Sequence, residues 1–261
     1  MPPSTSATPS EPRSRDLAGC LALVTGSGGG LGLGCARILA ARGADLVLVD
    51  VRVEALDSAA AELRAAYPGL DVRSEIADLA DPDSVRALAQ RLLAQDRPLD
   101  LLIANAGIYP PSQRTLNAQG QELGFAIAVI GHYALIAQLW PLLERAPAAR
   151  VVCVSSLTQR RARLYLEDLS FEQNYAPIRA YAQAKLGSLL LARALQAQLT
   201  RAGSRVRAQA AHPGVCRTGI GANRRRNPSD SAWQRFSSWA LAFGMRFHGQ
   251  TPEQGAAAVL D

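Results

Sequence analysis

Tyr181 and Lys185 stand four positions apart in "YAQAKLGSLLLARAL", residues 181–195, and Lys185 is the only lysine among 28 basic residues, the others being arginine. Side chains at i and i+4 share one face of a helix, so this spacing places a phenol and an ammonium one above the other. Ammonium is a compact point charge that can give up its proton in a tight pocket. Guanidinium is a planar fork that stays charged. A chain that uses arginine everywhere else has therefore kept, at this one offset from a tyrosine, the cation suited to proton transfer.

Positioning such a pair requires a scaffold, and the sequence outlines one. The runs "LALVTG", "ADLVLVD", "LDVRSEI", "LDLLIANAG", "ARVVCVSS" and "RVRAQAAHPG" read as six strands separated by stretches of helical periodicity. Strands apolar on both faces that alternate with helices imply an α/β fold: a single-domain, Rossmann-type, doubly wound parallel sheet covered by helices on both faces. Ligands of such folds gather beyond the carboxyl ends of the strands, so chemistry is expected at the last residues of each run.

The first run ends in "TGSGGGLGLG". Glycines allow a tight turn close to a pyrophosphate, and the helix beginning near Leu31 aims its free N–H groups and positive dipole end at the phosphates. Gly26, Gly30 and Gly32 are the expected phosphate contacts. The second run ends at Asp50, whose carboxylate can accept hydrogen bonds from both adenosine ribose hydroxyls and would repel a 2′-phosphate. Neither Gly29 nor Val51 is basic, which favours NAD over NADP, with Arg37 and Arg52 the nearby cations on the other side of the balance. Asp78 and Leu79 follow the third run, and Asn105, Ala106 and Gly107 end the fourth as ligand contacts or as turn residues.

Bulk properties set the class. A chain of 261 residues with 48% hydrophobic content can bury a sizeable core. A net charge of +6, with arginines spread along helices and no basic face interleaved with aromatics, argues against nucleic acid as a partner. Cys20, Cys35, Cys153 and Cys216 lack ligand or disulfide spacing and read as buried thiols in a reducing compartment, with no metal site expected. Residues 1–16 are rich in Pro, Ser and Thr, lack the apolar core of a signal peptide and read as a disordered tail. No apolar run approaches the roughly 18 residues of a membrane span, so no stable membrane insertion is expected and the cytoplasm is the default location.

"TGSGGGLG", Asp50, "ADL", "NAG", "VSS", "YAQAK" and "HPG", in this order, together resemble the short-chain dehydrogenase/reductase family from Leu17 to the end of the sequence. Within it, "GFAIAVIGHY", the long segment between "VSS" and "YAQAK", and "AAHPGVCRTGI" look most like the retinol dehydrogenase-like branch. The resemblance implies that Tyr181 is the general acid for carbonyl reduction and, as tyrosinate, the base for alcohol oxidation. A phenol with a pKa near 10 needs help to ionise at neutral pH, and a neighbouring ammonium supplies it. The resemblance also gives Lys185 a contact to the nicotinamide ribose and Ser156 a hydrogen bond to the substrate oxygen. Pro213, Gly214 and Val215 would line the nicotinamide, with Thr218 near its carboxamide or the phosphates. Family members are commonly dimers or tetramers, so a homo-oligomer is expected.

Two departures qualify the resemblance. The family's usual helix asparagine, which stabilises a kink whose main-chain carbonyl holds a relay water, aligns with Ala128; that carbonyl could serve if the kink survives. The family's seventh strand would follow "TPEQGAAAVLD", and the sequence stops at Asp261. Residues 219–250, carrying Trp233, Phe236, Trp239, Phe243 and Met245, are either an apolar lid over the substrate or a surface helix packed on the core. The expected function is hydride transfer between NAD(P) and a secondary alcohol or ketone of a hydrophobic small molecule, polycyclic substrates included. The alternative is a nucleotide-binding relative with a non-redox or regulatory role.

Overall fold

The computed structural model describes residues 16–214 and 251–260. Six parallel strands, β1 (Leu21–Thr25), β2 (Asp45–Asp50), β3 (Val72–Ile76), β4 (Leu101–Ala104), β5 (Arg150–Val154) and β6 (Arg207–Ala211), form one sheet in the order β3-β2-β1-β4-β5-β6. Each falls inside the run that forecast it. The order reverses direction between β1 and β4, which leaves a crevice beyond the carboxyl ends of those two strands.

Period-two alternation divides the strand side chains between two cores. Leu21 and Leu23 join one cluster with Val85 and Leu88 of α3 (Pro82–Ala94), Leu135 of α5 (His132–Gln138), Leu142 of α6 (Trp140–Arg145) and Ala192 of α7 (Pro177–Arg201). Ala22 and Val24 face the other, with Leu39 of α1 (Gly30–Ala41), Leu56 of α2 (Val53–Ala66) and Val259 of α8 (Pro252–Leu260). Helices therefore cover both faces, as a wholly parallel sheet requires. Among the described residues no helix is long and apolar enough to cross a membrane.

Local chemistry sets the helix starts near the crevice. Asp81 caps α3 by accepting the N–H of Asp83, and Pro82 occupies its first turn, where a missing N–H is harmless. Pro177 opens α7 in the same way, and this 25-residue helix buries a face of small and polar residues, Ala180, Gln183, Ala184, Lys185, Gly187 and Ser188, against the site. Between α4 (Leu123–Phe125) and α5 the chain makes a π-helical turn, Ala126–Gly131. Gly131 permits it: a Cβ there would lie 2.1 Å from the carbonyl oxygen of Leu79.

Candidate active site

The glycine turn between β1 and α1 is compact inside and open outside. Gly26 has φ +67°, and a Cβ on Gly32 would lie 2.2 Å from the Gly26 carbonyl oxygen, so neither position accommodates another residue without rebuilding the turn. Gly29 has open space beyond it, its nearest neighbour being the Arg52 guanidinium at 3.9 Å. This is a surface that a pyrophosphate can approach closely, at the N-terminus of α1.

Asp50 is buried at the end of β2, and the geometry refines its expected role. Oδ2 accepts the Gly28 N–H at 2.9 Å, Oδ1 accepts the Arg52 N–H at 3.0 Å, and the Arg52 guanidinium contacts both oxygens at 3.1 and 3.3 Å. A carboxylate offers about four lone-pair sites, so ribose hydroxyls would have to take the place of the half-exposed Arg52 side chain. Arg37, the other cation near the adenosine end, is committed elsewhere, to Glu62 and Glu253 at 2.7 Å each. Asp78 is exposed and its Oδ1 accepts the Ala80 N–H at 2.8 Å, while Leu79 is buried beside it.

The loop after β4 is fastened to β1. The Asn105 amide donates to the Thr25 carbonyl at 2.8 Å, and the backbone N–H groups of Asn105 and Ala106 both donate to the Thr25 hydroxyl, at 2.9 and 3.0 Å. Asn105 thus spends its side chain on the scaffold and presents backbone, with Ala106 and Gly107, to the crevice. Thr25 also meets His132 Nε2 at 2.8 Å, and His132 Nδ1 lies 3.1 Å from the Ala128 carbonyl. A carbonyl only accepts, so Nδ1 carries the proton and Nε2 accepts from Thr25. The π turn survives with alanine in place of asparagine. Its Ala128 carbonyl accepts from His132 and also from Ser188 Oγ at 3.2 Å, so a relay water would have to share or displace those donors.

Ser156, Tyr181 and Lys185 converge at the end of β5. Ser156 directly precedes a 3₁₀ segment, Leu157–Arg161, and its Oγ accepts the Thr158 N–H at 3.4 Å. α7 is held to β5 by Ser155 Oγ donating to the Lys185 carbonyl at 2.7 Å. The Lys185 ammonium, 4% exposed, donates to the Val154 carbonyl at 3.0 Å and faces Gly107, where a Cβ would lie 3.4 Å from Nζ. Burial pushes its pKa down to about 8. The same burial pushes the Cys153 thiol up to about 12, which keeps it an inert neighbour.

Lys185 Nζ stands 6.0 Å from the Tyr181 ring centroid. In this arrangement burial raises the phenol pKa, a hydrogen bond from Ser156 lowers it, and Tyr109 raises it slightly; the two rings lie 5.4 Å apart. Pro213 and Gly214 follow β6, with Gly214 at φ +70°, while Val215, Thr218 and the expected lid at 219–250 lie outside the described residues, as do residues 1–15 of the expected tail.

Sequence reasoning missed Thr25 and Gln183 as site residues, while His132, which its neighbours suit to a core role, is buried in the core. Gln183, buried between Tyr181 and Lys185, accepts the Tyr165 N–H at 3.0 Å and donates to the Leu169 carbonyl at 3.0 Å, fixing the loop ahead of α7. A polar residue on the inward face of a helix was the available signal.

Six parallel strands in this order, with a glycine-rich first turn and a carboxylate ending β2, define the fold of NAD(P)-binding oxidoreductases. A family model described as short chain dehydrogenase matches residues 21–229. The chain belongs to that family. It is similar to retinol dehydrogenase 12 of Mus musculus, 36% identical over 201 residues that make up 76% of this chain and 62% of that protein. A probable oxidoreductase of Streptomyces antibioticus is 40% identical over 176 residues, 67% of this chain and 58% of the other. The chain thus spans about three-fifths of the length of these curated relatives. A short chain dehydrogenase/reductase from Burkholderia phymatum, solved in complex with NAD, superposes with a TM-score of 0.76 at 25% identity, covering 93% of this chain and 84% of that one.

Proposed function

We propose that the protein moves hydride between NAD(P) and a secondary alcohol or ketone of an apolar small molecule, in the manner of the retinol dehydrogenase-like branch and with polycyclic substrates in range. The observation that carries the reading is the convergence of Ser156, Tyr181 and a buried Lys185 at the mouth of the crevice between β1 and β4. The bound nicotinamide supplies the hydride chemistry; the protein supplies position and the proton. Tyr181, neutral because burial holds its pKa high, donates its hydroxyl proton to the carbonyl oxygen in reduction. Ser156 donates a hydrogen bond to the same oxygen as charge develops on it. Lys185 faces Gly107 with an amine poised near pH 8, placed to contact a ribose there and to pass a proton onward.

NAD is the favoured cofactor because Asp50 is a buried carboxylate and Arg37 is tied into ion pairs, which leaves Arg52 as the cation nearest a 2′-phosphate. A cytoplasmic homo-oligomer, dimer or tetramer, completes the reading. The test is Tyr181→Phe, assayed by reduced-nicotinamide absorbance over a panel of ketones and alcohols and by calorimetric cofactor binding. Turnover should fall by about a hundred- to ten-thousand-fold with dinucleotide affinity retained. Unchanged turnover would overturn the mechanism.

A further inference from the structure

A groove of about 310 Å³ runs between the 3₁₀ segment Leu157–Arg161 and the first turns of α7. Its floor is apolar, with Ile178 and Ala182 from α7, and three arginines line it, Arg161, Arg163 and Arg179. Both walls adjoin the reacting pair along the chain. Thr158 on one wall donates its backbone N–H to Ser156 Oγ, and Ala182 on the other directly follows Tyr181.

The charge of this groove is unbalanced. Several arginines elsewhere pair with carboxylates, among them Arg37 with Glu62 and Glu253, Arg97 with Asp45 and Arg145 with Asp96, while others, such as Arg64 and Arg114, donate to backbone carbonyls. Among the described residues none of the three groove arginines contacts a carboxylate, and no acidic residue lines the groove. Asp168, close in sequence, is spent on the N–H groups of Glu172 and Gln173. Arg179 is also held in place: Nη1 donates to the Asn174 carbonyl at 2.8 Å, and its guanidinium carbon lies 4.9 Å from the Tyr165 ring centroid and 5.7 Å from that of Phe171. A guanidinium stacked on aromatic rings has already lost much of its side-chain freedom, so less is lost when it engages an anion.

Three arginines line this partly apolar groove, one of them held against aromatic rings, and the guanidinium fork matches carboxylate and phosphate oxyanions. We propose that this groove binds the anionic end of the substrate, so that the enzyme selects a ketone or alcohol carried on an aliphatic or cyclic body that ends in a carboxylate or phosphate. The inference rests on the redox reading only for which atom of the ligand reacts; the anion site itself is independent of it.

The test uses the full-length protein loaded with dinucleotide and three ketones identical except at the far end: a long-chain oxo-carboxylic acid, its methyl ester, and the phosphate monoester of the corresponding oxo-alcohol. Binding is measured by calorimetry and turnover by reduced-nicotinamide absorbance, each at low and high salt. One or both anions should bind about tenfold more tightly than the ester, with the advantage appearing in KM and shrinking as salt rises. The arm with the larger advantage identifies carboxylate or phosphate. In Arg161→Ala/Arg163→Ala, and separately in Arg179→Met, the anion-to-ester ratio should fall toward one. Equal affinity for ester and anions, or a ratio unmoved by both variants, would overturn the proposal. Tight, arginine-dependent anion binding without turnover would uphold the anion site and defeat the redox reading instead.

Discussion

His132 offers a quantitative test of how the site is built. Its ring is 1% exposed, donates from Nδ1 to the Ala128 carbonyl and accepts at Nε2 from Thr25, so the fold requires the neutral imidazole. Burial, with a smaller push from Lys185, lowers its pKa to about 4 despite the opposing hydrogen bond to Ala128. In the unfolded chain the ring titrates near 6.5. Between those values the unfolded chain binds a proton that the folded chain does not. The stabilisation is therefore complete above pH 6.5 and is lost as pH falls through 4. The interval corresponds to about 3 kcal/mol, a large fraction of a typical domain's 5–15 kcal/mol. Glu122 opposes part of this, because burial raises its carboxyl pKa and the folded protein protonates it first. Comparing wild type with His132→Gln, which keeps an amide in place of the ring but cannot ionise, cancels the Glu122 contribution. Urea unfolding followed by circular dichroism between pH 7.5 and 4 should show the stability gap shrinking by about 3 kcal/mol as wild type loses its advantage. A gap that stays constant across that range would refute the neutral-imidazole bridge.

Two further outcomes follow from the geometry. Gly131→Ala places a Cβ 2.1 Å from the Leu79 carbonyl and should cost about 3 kcal/mol or more, read as a drop in urea midpoint; a loss under about 1 kcal/mol would show that the π turn can shift freely. Asp50→Ser removes the carboxylate that Arg52 now contacts and should move the NADP-to-NAD ratio of kcat/KM upward by about tenfold or more, whereas an unmoved ratio would remove Asp50 from cofactor selection.

The fold was legible because its signals are local. The strands β1, β2, β4 and β5 are short runs apolar on both faces, with the edge strands β3 and β6 more polar, and the glycine turn, Asp50, and the Tyr181 and Lys185 spacing sit at strand ends or on one helix face, where a linear reading can place them. What escaped the sequence is carried by contacts between distant segments. Thr25 and His132 are 107 positions apart, and nothing in either neighbourhood announces the bridge. The sequence places Arg52 near Asp50 as a cation, but only the fold lays its guanidinium across both Asp50 oxygens. The π turn at Ala128 persists without the asparagine that the family pattern associates with it. Gly131 gives the turn its clearance against Leu79, and Ser188 and His132 anchor its carbonyl, an arrangement spread over three elements.

The solitary lysine has a consequence outside catalysis. Burial lowers the Lys185 pKa to about 8, and no other side-chain amine exists in the sequence. An amine-directed acylating reagent therefore has one internal target, shielded at 4% exposure by the walls of the crevice. Its rate of modification, read as a mass increment on the peptide that carries Lys185, is a clock for how often those walls part. Ligands that fill the space between Gly107 and the amine will slow that clock.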